Sequence, residues 1–340
     1  MSVKKGILLT ALMCAVLFGA YAKGQGEGSA AVAEEDYVLK IGYGITAGLC
    51  SAPFFIAQEL GYYEEEGLNY EVVRIDSGQG PQLLVTGQID AVNNLLATLI
   101  QPIANGLDVK VTLGIHTGCI KVLVSPNSPI RRPVDLRGKR IGTSSMNASG
   151  TVITQRYLAE LGIGVSADNL EVEWVIFPAS DLPLALERGL VDAIAINDPT
   201  AYIVESEGKG RVIINSATDD YLKNEFCCVV VASTAIAQRY PATLARFTRA
   251  IQRAANFVQE NPEETARLMA ERRYVAGEPA VNAAILRTYD FRASVSEAET
   301  AIARNARDLQ RIGLVEASVD AAALTRDTFL RLPGVPDTLH

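Results

Sequence analysis

The chain has 340 residues, a formal net charge of −8, 49% hydrophobic and 21% charged residues, a length and balance that suit two globular lobes rather than one core. No basic surplus is available to neutralise phosphates, which excludes nucleic acid as a partner. With only two histidines, His116 and the terminal His340, histidine acid–base chemistry has a single internal candidate.

The chain opens on a processing segment. Lys4 and Lys5 form a short positive region, Ile7 to Ala20 is apolar but too short to span a membrane comfortably, and Ala20-Tyr21-Ala22 has the small-x-small form of a cleavage site. Residues 1–22 are therefore expected to be a signal peptide and 23–36 a flexible leader rich in Gly, Ala and Ser. Ala11-Leu12-Met13 before Cys14 fits a lipobox poorly, so a soluble periplasmic protein is expected rather than a lipid-anchored one. Beyond the signal segment four cysteines remain, Cys50, Cys119, Cys227 and Cys228. Export permits bridges, but a chain of this size does not require them. Free thiols are expected, with Cys50 and Cys119 the next candidate pair.

From Val38 the pattern becomes regular. An apolar strand to Tyr43 is followed by a small polar loop, a helix from about Pro53 to Glu66, the stop Gly67-Leu68, and a strand over Tyr70 to Ile75. Pro81-Gln82-Leu83-Leu84-Val85-Thr86-Gly87-Gln88-Ile89-Asp90-Ala91 then recurs as Pro183-Leu184-Ala185-Leu186-Glu187-Arg188-Gly189-Leu190-Val191-Asp192-Ala193, with Pro, Leu, Gly, Asp and Ala kept at an offset of 102. Pro suits the first turn of a helix, Gly its left-handed cap, and the apolar run after Asp-Ala a buried strand. The second copy has its own strand end at Arg140 to Gly142, polar loop at Thr143 to Gly150, helix to about Leu161, and strand at Leu170 to Phe177. Each copy reads as β-loop-α-β-loop-α-β, which implies a parallel sheet covered by helices on both faces.

Two apolar runs, Cys119 to Ser125 and Phe226 to Ser233, flank the second unit and read as strands of a two-strand hinge. That makes 126–225 a second lobe inserted in a first lobe of 37–125 plus 226–340. The tail is helical. Pro241 opens a helix with the stripe Leu244, Phe247, Ile251, Ala254, Phe257 and Val258, and the charged Glu263–Arg273 stretch reads as a solvated face.

Pro53-Phe54-Phe55-Ile56-Ala57-Gln58-Glu59-Leu60-Gly61-Tyr62-Tyr63-Glu64-Glu65-Glu66-Gly67-Leu68 resembles the first helix of the nitrate/sulfonate/taurine-type periplasmic binding proteins, a superfamily that also holds binders of thiamine-pyrimidine precursors. Gly87-Gln88-Ile89-Asp90-Ala91 resembles its "G-x-[IV]-D" step, Asp135 to Gly142 the entry to its second lobe, and Asn197-Asp198-Pro199 stands where the family often has Glu-Pro. The resemblance runs from about Val38 to Leu268. It implies an α/β, type II two-lobed fold and a monomeric ABC-importer receptor that closes on a small-molecule ligand and delivers it to a membrane permease. Two alternatives share the fold. One is a sensor domain. The other is a thiamine-pyrimidine synthase, but those enzymes resemble this chain without a signal peptide and carry a run of iron-binding cysteines, whereas only Cys227-Cys228 are adjacent here.

In open α/β sheets ligands lie at the carboxyl ends of strands against helix N-termini. The candidates there are Cys50, Ser51, Ser77, Gly78, Gln79, Asn94, His116, Thr117, Ser145, Asn147, Ser149, Gly150, Thr151, Asn197 and Asp198. The strand-end stretches Thr46 to Ser51, Ser77 to Gly80, Asn93-Asn94, His116 to Gly118, Ser144 to Thr151 and Asn197 to Thr200 hold Asp198, with Asp76 adjoining them, but no Lys or Arg, which favours a small anion or a neutral polar solute held by hydroxyls, amides and backbone N–H groups. Each has a plainer structural explanation: Ser51, Ser77, Asn147, Asp76 and Asp198 as helix caps, the glycines as turn formers, Trp174 and Phe177 as core. His116 and Cys119 have His-x-x-Cys spacing, with Cys50 in a neighbouring loop, but two ligands at that spacing do not establish a metal site. No metal, cofactor or catalytic residue is expected. Gly48-Leu49-Cys50-Ser51-Ala52 lacks the final Gly of a nucleophile elbow.

Overall fold

A computed structural model describes residues 34–45, 48–76 and 78–339. The signal segment, nearly all of the leader, and Ser77 lie outside the described residues. Among the described residues no helix is long and apolar enough to cross a membrane.

The chain begins with β1 (Val38–Gly44), α1 (Ala52–Glu59), α2 (Tyr62–Glu65), β2 (Asn69–Ile75), α3 (Gly80–Val85), β3 (Ala91–Leu95), α4 (Leu96–Ala104) and β4 (Val109–Thr117). It continues through β5 (Ile120–Val124), β6 (Arg140–Thr143), α5 (Ser149–Glu160), the small hairpin β7 (Val165–Ser166) and β8 (Asn169–Leu170), β9 (Glu173–Ile176), α6 (Leu182–Glu187), β10 (Ala193–Asn197), α7 (Thr200–Ser206) and β11 (Arg211–Asn215). Then β12 (Phe226–Ser233) leads into α8 (Thr234–Arg239), α9 (Pro241–Glu260), α10 (Pro262–Glu271), α11 (Pro279–Leu286), α12 (Val295–Arg311) and α13 (Ala321–Thr328).

Two five-stranded sheets result, in the orders β2-β1-β3-β12-β4 and β9-β6-β10-β5-β11. Three strands in each are parallel and come from one copy of the repeat. The fourth is antiparallel to both neighbours: β12 between β3 and β4, β5 between β10 and β11. The two expected hinge runs thus occupy equivalent places but do not pair with each other. β5 belongs to the second sheet, so the chain leaves the first sheet at Gly118-Cys119 rather than after Ser125. All eight residues of β12 and all five of β5 are buried, which explains their apolar character, broken only by Lys121 and Ser233.

The repeat is visible atom by atom. α3 and α6 are each six residues long with Pro in the first turn, and Gly87 and Gly189 follow at φ 72° and 67°, where a side chain would be strained. The repeated aspartate is a strand clamp. Asp90 Oδ2 accepts the Lys40 N–H at 2.8 Å while its own N–H donates to Lys40 O; Asp192 repeats both bonds with Arg140, the side-chain one at 2.9 Å.

The C-terminal helices complete the core. Leu244, Phe247, Ile251 and Ala254 of α9 are fully buried, and Phe247 stacks on Tyr63 with ring centroids 5.7 Å apart; each such aromatic is worth about 1.5–3 kcal/mol by burial. On α10, half-exposed Arg267 pairs with Glu264 and Glu271, the solvated face expected. α12 lies on β4 and β12 and also reaches α5. At that junction Arg156 of α5 is fully buried and donates to Glu225, to Asp308 Oδ2 at 2.7 Å and to Asn305 Oδ1 at 2.7 Å. Burial opposes its charge, but the two carboxylates outweigh that and hold the guanidinium above its ordinary range.

Candidate functional site

The chain passes from the first sheet to the second at Gly118 (φ 84°) and Cys119 (φ 99°). A non-glycine residue in that region stores strain of about 1–3 kcal/mol and marks a position held by its surroundings. What holds it is a cluster. Cys119 Sγ lies 2.7 Å from Cys227 Sγ, and the ligand atoms of Cys50, His116 and Cys228 lie within 4.8 Å of one another. All four cysteines among the described residues are free thiols; Cys119 neighbours both Cys227 and Cys50. Alternation along a strand would let only one of Cys227 and Cys228 face this region. The ladder between β12 and β4 shifts register on both sides of Cys228, and that irregularity brings both thiols into the cluster.

The imidazole of His116 is completely buried, stacked on Tyr289 at 5.1 Å and flanked by Phe291 at 5.1 Å. Its Nδ1 lies 3.1 Å from Thr117 O, so this nitrogen carries the proton and donates, while Nε2 is buried without a partner. Hydrogen bonds from Cys119, then Cys227 and Cys228, hold the Cys50 thiol well below the usual cysteine range, against burial. Burial raises Cys119; hydrogen bonding to Cys119 raises Cys227, and to Cys227 raises Cys228. One polarised thiol therefore sits among three neutral ones.

Beside the cluster, Asp198 donates its backbone N–H to Cys119 O at 2.9 Å. Burial pushes its carboxyl up to about 6, with Lys121 pulling the other way. Asp198 Oδ1 accepts the Tyr202 N–H at 2.8 Å in the first turn of α7, but the N-cap is Pro199, so Asp198 acts from one residue before the expected capping position. Lys121, 3% exposed, lies 3.9 Å from Asp198 and 2.8 Å from Glu205. Sequence reading missed it, because a single Lys in the run Ile120–Val124 looks like an edge residue, not a buried cation.

The second sheet contributes the N-terminus of α5. Ser149 Oγ and the Asn197 amide are hydrogen-bonded at 3.0 Å. Thr151, fully buried, donates to Ser145 O at 2.7 Å and contacts Thr143, so its hydroxyl shapes the loop. Gly150 is required by packing: a Cβ there would lie 2.9 Å from Ala195 O. Ser145 and Asn147 are exposed in the loop ahead of the helix.

Cys50, His116, Thr117 and Asp198 are thus brought together at the crossing, and Ser145, Ser149, Gly150, Thr151 and Asn197 around α5. Gly78 and Gln79 are exposed in the turn entering α3, with no bond to either group. Asn93, not Asn94, donates to Ser51 Oγ at 2.9 Å, and alternation along β3 sends Asn94 to the other face. Both asparagines belong to the strand rather than to a loop. Tyr289 was missed as well; it lies 170 residues from Cys119 in the chain, and no local signal connects them.

Two α/β sheets with exchanged antiparallel strands, and polar strand ends converging where the chain crosses, define the periplasmic-binding-protein fold. The chain belongs to the NMT1/THI5-like family, whose model matches residues 50–265. Solved structures are similar to it in fold. The aliphatic sulphonate-binding protein SsuA of Escherichia coli is 20% identical, covers 89% of this chain and 95% of its own, with a TM-score of 0.72. The MOPS-bound alkanesulfonate-binding protein of Xanthomonas axonopodis pv. citri is 20% identical over 86% and 98%, with a TM-score of 0.65. The nitrate-binding protein NrtA of Synechocystis PCC 6803 is 14% identical over 86% and 86%, with a TM-score of 0.66. No curated protein matches the sequence.

Proposed function

We propose that this chain is the extracytoplasmic solute-binding component of an ABC importer, taking a small anionic or neutral polar solute between two lobes that close on it. The sheets serve as lobe cores, 37–125 with 226–340 and 126–225, except that β5 sits with the second. The observation that carries the reading is the convergence of strand ends and the α5 N-terminus on one crossing point, with uncommitted polar atoms such as Asn93 Oδ1 buried there. Sulfonate- and nitrate-binding proteins of the same fold are consistent with an anion. Binding leaves the solute chemically unchanged, and the protein acts as a monomer that docks on a membrane permease.

Native mass spectrometry of gently purified protein identifies a retained solute. Small-angle scattering with that solute is expected to show a smaller radius of gyration. Turnover of the solute, or binding without compaction, refutes the receptor reading.

A further inference from the structure

Five soft donor groups meet where the chain crosses between sheets: the thiols of Cys50, Cys119, Cys227 and Cys228, and the imidazole of His116. We propose that Cys50, His116 and Cys228 form a binding site for a thiophilic divalent d10 cation of the zinc class. The inference stands apart from the solute-binding reading, since it rests on the donor set alone.

The histidine is the first argument. Its Nδ1–H is committed to Thr117 O, which leaves Nε2 with a lone pair, fully buried and unpartnered. Leaving a buried polar atom unpaired costs about 1–3 kcal/mol, and a cation removes that cost. A histidine whose other ring nitrogen donates to a backbone carbonyl, clamped here between Tyr289 and Phe291, is oriented as a metal-ligating histidine is.

Rigidity is the second. Cys228 and His116 are ladder partners across β12 and β4, so two of the ligands are held by the sheet itself, while Cys50 comes from the turn before α1. The third is charge. Two thiolates and a neutral imidazole balance a divalent cation, which suits a site where an uncompensated charge is costly. Sulfur-rich donor sets select zinc and its relatives, whereas calcium and magnesium take oxygen. Binding takes Cys50 and Cys228 as thiolates: each sulfur gives an electron pair to the metal, and whatever protons the two thiols still carry, that of Cys228 at least, pass to solvent. Three protein ligands leave one tetrahedral position open beside the Cys119–Cys227 pair.

The test uses reduced, metal-free protein in a Cys14→Ser background, titrated anaerobically with Co(II) and then Zn(II). The expected result is one Co(II) per chain with sulfur-to-cobalt charge-transfer absorption, displaced by Zn(II), and release of at least one proton when Zn(II) loads the metal-free protein. Mg(II) and Ca(II) give neither signal. Cys50→Ser, Cys228→Ser and His116→Gln each weaken Co(II) binding by ~100-fold or more, while Cys119→Ser keeps the absorption and loses less than about tenfold. Cys50 is partly exposed on a turn, so its variant carries the test if the two buried ones fail to fold. No charge-transfer absorption, absorption that survives Cys50→Ser, or complete loss on Cys119→Ser each overturns the assignment. A retained organic solute with no cobalt signal removes this site and leaves the solute reading intact.

Discussion

Arg156→Met tests how the helix of the second sheet is joined to the rest of the molecule. Arg156 is fully buried and bonded to Glu225 and Asp308, whose side chains are 4% and 6% exposed. Removing the cation does not strand the two acids equally. Asp308 keeps Arg311 at 3.4 Å, Arg304 at 3.9 Å and the Tyr221 hydroxyl at 2.7 Å. Glu225 has no other cationic partner among the described residues and becomes a buried, unpaired carboxylate. Breaking such a pair costs about 3–5 kcal/mol, and Met fills most of the space, so the loss is electrostatic rather than a cavity. Urea unfolding followed by circular dichroism at pH 7 should read that loss. Adding Glu225→Gln should return about 2 kcal/mol or more, because the orphaned charge is gone. A loss under about 1 kcal/mol, or no recovery from Glu225→Gln, refutes this reasoning.

Asp198 should make stability fall with rising pH. Its folded carboxyl holds a proton to about 6 against an ordinary 3.8, so the folded state binds more protons between those values and is favoured at the acid end, by on the order of 3 kcal/mol at most. Asp198→Asn keeps the Tyr202 N–H bond and should flatten that slope, which pH-resolved denaturation measures; an unchanged slope assigns it elsewhere. Gly150→Ala places a Cβ 2.9 Å from Ala195 O, a backbone atom that cannot swing away, and should cost about 1–3 kcal/mol in thermal unfolding, against none for exposed Ser144→Ala. At φ 99°, Cys119→Gly should be more stable than Cys119→Ala by about 1 kcal/mol; equal stabilities would mean that the crossing is unstrained. N-terminal sequencing of exported protein should begin at Lys23, and a lipid on Cys14 would contradict that.

The repeat at offset 102 was legible because Pro, Gly and Asp are demanded by local geometry: a first helical turn, a positive φ, and a carboxylate that returns to its own neighbouring strand at Lys40 or Arg140. These constraints act within one β-α-β unit and leave a local mark. Strand partners do not. That β5 and β12 are exchanged between sheets depends on which edges the two units leave open, and the sequence shows only two apolar runs. Which of Asn93 and Asn94 faces Ser51 is hidden for the same reason, since the face of a strand end is set by its register against β12.

Sequence alone determined the two-unit α/β architecture, the buried strands, the amphipathic helix from Pro241 and the polar strand ends, because each follows from periodicity and turn chemistry over a few residues. Only the tertiary structure decided what stands in the site. His116, Cys50, Cys119, Cys227, Cys228, Lys121 and Tyr289 come from segments up to 239 residues apart, brought together by the double crossing of the chain. A buried lysine, an orphaned imidazole nitrogen and two adjacent cysteines on one side of a bulged strand depend on contacts between distant segments, and those contacts leave no pattern in the local sequence.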